Sequence, residues 1–143
     1  MTDQQRNKQL VKRALDEVFT AGNFGVLEEI FHPDFINHEA GPDTPPGPEG
    51  LKVTVGWIRD AFSDLHYEIE DSVAEGDKVA VRVTAGGRHT GKFIGFEPTG
   101  KSYKVKQMHM YRFKDGKIIE HWSVRDDLDQ GMQLGFVPGG AAA

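Results

Sequence analysis

The residues best suited to chemistry lie in one stretch, Tyr103-Lys-Val-Lys-Gln-Met-His-Met-Tyr-Arg-Phe113. Its charges fall on even positions, Lys104, Lys106 and Arg112, with Lys114 just beyond. Successive side chains of an extended strand point to opposite faces. The even face therefore meets solvent, and the odd face (Tyr103, Val105, Gln107, His109, Tyr111, Phe113) is the one to bury. That sets an amide and an imidazole side by side on an apolar, aromatic surface. Burying either without a partner costs about 1–3 kcal/mol. A polar pair on such a face is what a ligand pocket uses to orient a bound molecule. The plainer alternative is that His109 and Gln107 are structural groups satisfied by the protein itself.

The last apolar stretch, Lys117-Ile-Ile-Glu-His-Trp-Ser-Val-Arg125, reads as a strand with two possible inner faces. Composition favours burying Ile118, Glu120, Trp122 and Val124. A three-residue loop at Lys114-Asp115-Gly116 would instead set Phe113 opposite Lys117, His109 opposite His121 and Gln107 opposite Ser123, and opposed residues share a face. A two-residue loop reverses this. Elsewhere, Phe35-Ile-Asn-His-Glu39 precedes a proline-rich loop, where Asn37 and His38 serve either as turn residues or as binding groups over a cavity. Met108 and Met110, apolar on a charged face, suggest a covered patch such as an oligomer contact. No HxH, HExxH or EF-hand spacing argues for a metal, and no GxGxxG, P-loop or GxSxG argues for a nucleotide cofactor or a serine hydrolase.

These groups need a scaffold, and the order of elements supplies an α+β one. Leu10, Val11, Ala14, Leu15, Val18 and Phe19 form one stripe of a helix over residues 2–21. Thr2 with Gln5 has the form of a capping box. A short helix over 24–31 is expected to stop at Pro33. After the loop 40–50, Leu51, Val55, Ile58 and Phe62 recur at helical spacing, with Pro48-Glu49 suited to a first turn. The period then changes to two: Tyr67, Ile69, Asp71 and Val73 alternate with polar residues, and Val79, Val81 and Val83 follow a Gly76-Asp77 turn. Gly86-Gly87 marks a bulge or bend. Residues 126–133 form a short closing helix.

Composition narrows the classes. The 143 residues hold 17 Lys+Arg against 22 Asp+Glu, a net charge of −5, and no cysteine. One domain over 1–138 fits that length, with 139–143 expected as a disordered tail. Missing cysteines remove disulfides, thiolate metal sites and a cysteine nucleophile. The acidic balance argues against a nucleic-acid partner. No secretory h-region and no spanning stretch is present, so no membrane is expected and a cytoplasmic setting follows.

Several segments together resemble the SnoaL-like polyketide cyclases. They are Phe35-Ile-Asn-His38, Pro46-Gly-Pro-Glu-Gly-Leu51, Asp71-Ser-Val-Ala-Glu-Gly-Asp77, His89-Thr-Gly-Lys-Phe-Ile-Gly95, Pro98-Thr-Gly-Lys101, His109-Met-Tyr-Arg112 and Gly116-Lys-Ile-Ile-Glu-His-Trp122. The resemblance spans about Leu10 to Gly135. It implies an NTF2-like cone: a curved antiparallel sheet wrapped by N-terminal helices around a deep apolar pocket, assembled as a homodimer or homotetramer through the sheet. It further implies ring closure of a polyketide by aldol condensation, with no metal and no cofactor. The family's pocket asparagine, glutamine and histidine correspond by resemblance to Asn37, Gln107 and His109. Tyr111, His121 and Ser123 join them as expected substrate-binding residues. The family's catalytic aspartate follows the last-strand tryptophan, where this chain has Ser123. A serine is no base near neutral pH without activation. His109 is then the expected acid/base, with Asp126 as a reserve carboxylate at the pocket mouth. The reading that results is a cofactor-independent enzyme acting on a small, apolar, carbonyl-bearing or polyketide-type molecule by aldol cyclisation, isomerisation or hydration. The alternatives are a relative acting in polyketide hydroxylation and a non-catalytic small-ligand-binding module.

Overall fold

Helix formation starts at Thr2, in a computed structural model that describes residues 1–138; the tail expected at 139–143 lies outside the described residues. Thr2 Oγ1 accepts the Gln5 N–H at 3.1 Å, and Gln5 Oε1 accepts the Thr2 N–H at 2.8 Å, the reciprocal cap that the spacing predicts. Helix α1 (Asp3–Arg13) continues into a π-helical segment, Ala14–Thr20. Val11, Ala14, Leu15 and Val18 on its apolar stripe are buried. A 3-10 turn (Phe24–Val26) leads into α2 (Leu27–Ile30). That helix ends three residues before Pro33, which lies inside strand β1 (Phe31–Asn37). A proline has no N–H to pair, and β1 tolerates it because it is an edge strand.

Helix α3 (Gly47–Ala61) carries Pro48 in its first turn and buries Leu51 and Val55. Then come β2 (Phe62–Glu75), β3 (Lys78–His89), β4 (Ser102–Lys114), β5 (Lys117–Arg125) and α4 (Asp127–Leu134). The strands form one curved, unclosed sheet in the order β1-β5-β4-β3-β2. The expected all-antiparallel sheet needs one correction, since β1 runs parallel to β5. No hairpin joins these two strands, and the long chain between them leaves a parallel pairing open. The helices cover the concave face, and Val79, Val81, Val83, Tyr111, Phe113 and Ile118 meet Val11, Leu15, Val18, Phe31 and Val55 there.

Two irregularities decide which side chains face inward. Along β2 the register shifts between Ile69 and Asp71. Ser72 and Ala74 then oppose the buried Val81 and Val79, while Val73, expected inward, is 65% exposed. Gly86-Gly87 is not itself a bulge: β3 runs straight past it against β4. The shift lies opposite, between Ser63 and His66, with Asp64 at φ 53°. A Cβ on Gly86 would stand 2.2 Å from the exposed His66 ring, which would have to swing aside.

The second irregularity is in the β4–β5 hairpin. Lys114 pairs with Lys117 across the two-residue turn Asp115-Gly116, so the three-residue loop is not formed. A two-residue turn alone would bring Glu120 and Trp122 inward. Phe113 pairs with Ile118, however, and Arg112 with Glu120, leaving Ile119 as an extra bulged residue. From there on Tyr111 opposes His121, His109 opposes Ser123 and Gln107 opposes Arg125. His121 and Ser123 thus share the inner face, two residues out of the register expected from the longer loop.

Outside the sheet, Glu120 Oε2 sits 2.8 Å from His38 Nε2 and its Oε1 accepts from Arg112 Nε at 2.5 Å. These contacts hold its carboxyl below the usual range, His38 first and then Arg112. The His38 ring stacks on Trp122 at 4.8 Å. Met108, Met110 and Val124 are exposed on this outer face, where the expected contact between copies would fall. Among the described residues no helix is long and apolar enough to cross a membrane.

Deleting Ile119 removes the bulge and leaves Glu120 opposite Arg112 and His121 opposite Tyr111, so the inner face of β5 is kept. Urea denaturation followed by near-UV circular dichroism is expected to show a cooperative transition at a lower midpoint, because the buried Ile119 side chain is lost. Ile119→Val keeps the residue count and is expected to cost only about 1 kcal/mol.

Candidate active site

Between the concave face of the sheet and α3 lies a two-part cavity. The outer part holds about 690 Å³, walled by Trp57, Phe93, Phe96 and Phe136. The inner part holds about 90 Å³ and reaches Asn37, His109, Tyr111, His121 and Ser123. Tyr67, Gln107 and Arg125 line both, so the narrow polar end opens into a wider aromatic vestibule.

The strand register builds the inner end. Parallel pairing of β1 with β5 sets Asn37 beside His121, and antiparallel pairing of β5 with β4 sets Ser123 beside His109. Alternation along β4 puts Gln107 next to His109 on the same face. The result is one hydrogen-bonded chain. Asn37 Oδ1 lies 2.9 Å from His121 Nδ1, His121 Nε2 lies 2.8 Å from His109 Nδ1, and His109 Nε2 lies 2.7 Å from Gln107 Oε1. Asn37 Oδ1 also accepts the backbone N–H of Glu39 at 3.1 Å. Tyr111 supports the histidines from below, its ring centroid 4.9 Å from that of His121 and 6.1 Å from that of His109.

Burial, more than any charge, sets the protonation of this end. It pushes His109 down to about 4, with the Arg125 charge adding to the effect. It pushes His121 down to about 3, followed by the charges of His109, Arg125 and His38. Both imidazoles are neutral at pH 7, which corrects the expectation that His109 titrates near neutrality. Burial likewise pushes Tyr67 and Tyr111 above the ordinary phenol range and Tyr103 up to about 12, so their hydroxyls stay protonated.

Of the residues singled out from sequence, the fold brings together Asn37, Gln107, His109, Tyr111, His121 and Ser123. The Ser123 hydroxyl oxygen is buried and has no hydrogen-bond partner among the described residues. Asp126 does not join them. It is exposed and serves as the N-cap of α4, its Oδ1 accepting the Asp129 N–H at 3.0 Å, so the reserve carboxylate is corrected to a capping residue. Asp127 lines the vestibule instead, 3.4 Å from Arg125. Arg125 was not among the expected site residues, although it shares the parity of His121 and Ser123 and could have been found by it. No group of three or more His, Asp or Glu positioned to hold a metal ion occurs among the described residues.

A curved sheet wrapped by helices around an aromatic-mouthed cavity defines an NTF2-like α+β fold. A family model described as SnoaL-like polyketide cyclase matches residues 9–134, and the chain belongs to that family. It is 33% identical over 129 residues to the aklanonic acid methyl ester cyclase DnrD of Streptomyces peucetius, with 88% of each chain covered. It is 34% identical over 121 residues to the nogalonic acid methyl ester cyclase of Streptomyces nogalater, covering 82% of this chain and 89% of that one. Among solved structures, TsrD from Streptomyces laurentii superposes with a TM-score of 0.86 at 27% identity, covering 96% of this chain and all (100%) of that one.

The depressed histidines make stability depend on acid. An unfolded histidine takes up its proton near pH 6.5, whereas His109 in the fold does so at about 4 and His121 at about 3. Between those values the unfolded chain binds more protons, so stability falls as the pH drops from 6.5 toward 4. Thermal melts across that window are expected to show the decline. A His109→Gln/His121→Gln double variant is expected to flatten it.

Proposed function

We propose that the protein is a cofactor-independent cyclase that closes a ring in a polyketide-type ester by intramolecular aldol addition. The observation that carries this reading is the hydrogen-bonded chain ending in Gln107 and His109 at the narrow end of the cavity, beside the Ser123 hydroxyl, which has no hydrogen-bond partner among the described residues. The names of its relatives supply the substrate class: methyl esters of aklanonic and nogalonic acid.

In this reading the bound substrate displaces the Gln107 amide from His109 Nε2, and Nε2 takes the proton from a carbon flanked by carbonyl groups. The C–H electron pair stays on the substrate as an enolate, the enolate carbon attacks a ketone carbon of the same molecule, and the new alkoxide takes the proton back. Gln107 and Ser123 direct hydrogen-bond donors at the oxygen where charge develops, and such donors are worth most in a water-poor site. The vestibule aromatics Trp57, Phe93 and Phe136 hold the flat remainder of the substrate. Asn37 and His121 hold His109 in position, and Asp126 takes no part.

A histidine held near pH 4 is a weak base, and two features offset that. The resting pair is fully deprotonated at pH 7, so every molecule is competent. An enolate forming against it favours the protonated imidazole by direct charge attraction. The pH profile of kcat/KM should therefore be flat through neutrality, with its acid limb near 4 and not near 6.5.

The test is to incubate the purified protein with aklanonic or nogalonic acid methyl ester and follow ring closure by chromatography and mass spectrometry. Turnover is expected, with His109→Gln lowering kcat by about 10²–10⁴ and Gln107→Leu by about 10². Saturable binding of both esters with no turnover would replace the enzyme by a ligand-binding module, and unchanged activity in His109→Gln would remove the histidine from the reaction.

A further inference from the structure

The Asn37–His121–His109–Gln107 chain has three hydrogen-bonded junctions, and the protons on its four ring nitrogens must serve them all. With Gln107 Oε1 toward His109, the chain begins and ends on carbonyl oxygens. A carbonyl oxygen only accepts, so the ring nitrogen facing each end must carry a proton. The contact between the two rings, 2.8 Å from His109 Nδ1 to His121 Nε2, needs one proton more. That makes three protons on four ring nitrogens, which is one positive charge shared by the pair. The neutral pair has two protons and cannot satisfy all three junctions while both ends accept. One end must then offer an N–H.

The Asn37 end cannot be the one to change. Its Oδ1 also accepts the Glu39 backbone N–H at 3.1 Å, and turning the amide would set NH2 against that donor. The Gln107 end has no such second tie among the described residues, and its amide borders the open cavity. In the neutral pair, then, His121 Nδ1–H donates to Asn37, His109 Nδ1–H donates to His121 Nε2, and His109 Nε2 is left as an acceptor. Gln107 meets it with NH2.

We infer that the chain takes up one proton as a unit, and that this proton turns the Gln107 amide by half a rotation. In the neutral state its carbonyl faces the cavity; in the protonated state its NH2 does. The neutral site is thus built to accept from a ligand hydroxyl or enol O–H, and the protonated site to donate to an enolate, phenolate or carboxylate oxygen. Anion and proton bind together, each raising the affinity for the other. Asn37 is a positioning residue here: with the Glu39 N–H it sets the direction of every proton in the chain. The ionisable groups around the pair are Tyr111 on β4, Arg125 on β5, Tyr67 on β2 and Glu39 after β1, with His38 on the far side of β5; α3 and the π-helical segment present apolar groups and Thr54. Arg125 is the one cation lining this end of the cavity among the described residues, and it favours the same anion.

The choice of an enolate as the anion rests on the proposed cyclase reading, but the proton count does not, and the test needs no turnover. Long-range 1H–15N correlation spectra of the ligand-free, 15N-labelled protein at pH 7 report which ring nitrogens are protonated. Both His109 and His121 are expected as Nδ1–H tautomers. An Nε2–H tautomer at His109 in the neutral protein would overturn the inference. Asn37→Asp keeps the acceptor for Glu39 and places a negative charge at the pinned end. It is expected to raise the protonated fraction of the pair at pH 7 at least ten-fold, the effect of about one pH unit. The Gln107 side-chain NH2 resonances are expected to move in the same titration step as the imidazoles, and their failure to move would also overturn it. Where Asn37→Asp does not fold, the tautomers of the unmodified protein decide.

Discussion

Phe113 pairs with Ile118 and Arg112 with Glu120, and the one residue left over, Ile119, sets the polarity of everything beyond it on β5. The two faces of a strand exchange with each single-residue step. Without the bulge Glu120 and Trp122 would enter the core, and Glu120 would lose its outer contacts with Arg112 and His38. With it, those three residues form a hydrogen-bonded cluster outside while His121, Ser123 and Arg125 line the cavity. One unpaired residue thus moves the carboxylate out and the His121 imidazole in, toward His109.

The consequence for chemistry is an inner end where, among the described residues, no carboxylate is hydrogen-bonded to the two histidines. Arg125 and Glu39 are the charged groups in its lining, and burial keeps both imidazoles neutral at rest. A site of this kind stores its proton capacity in a linked pair and not in one group tuned to neutral pH. The pair is held at one end by Asn37 and the Glu39 N–H, and is free at the other, where the cavity begins. The arrangement places the only adjustable amide of the chain where a ligand can sense it.

Much of this was legible in the residue order. The Thr2–Gln5 cap, the apolar stripe of α1, the Gly76-Asp77 and Asp115-Gly116 turns and the alternation along β4 each depend on neighbours a few positions apart. The buried face carrying Gln107 and His109 followed from the four charges on the opposite face. Pro33 misled because its meaning depends on whether the strand around it is an edge. Val73 misled because the shift after Ile69 depends on how β2 meets β3. Asp126 lies close in sequence to the last strand, yet capping α4 turns it away.

Local pattern therefore determined the elements apart from β1, the inner face of β4 and the candidate pair Gln107 and His109, since periodicity and charge act over a few residues. The tertiary structure alone decided that Asn37 stands beside His121 and that Ser123 stands beside His109. The first pairing joins residues 84 positions apart through parallel strands. The second depends on a bulge that no local pattern marks, because Ile119 is as apolar as its neighbour and either could have faced the core. Register across a sheet is fixed by the sum of packing on both faces.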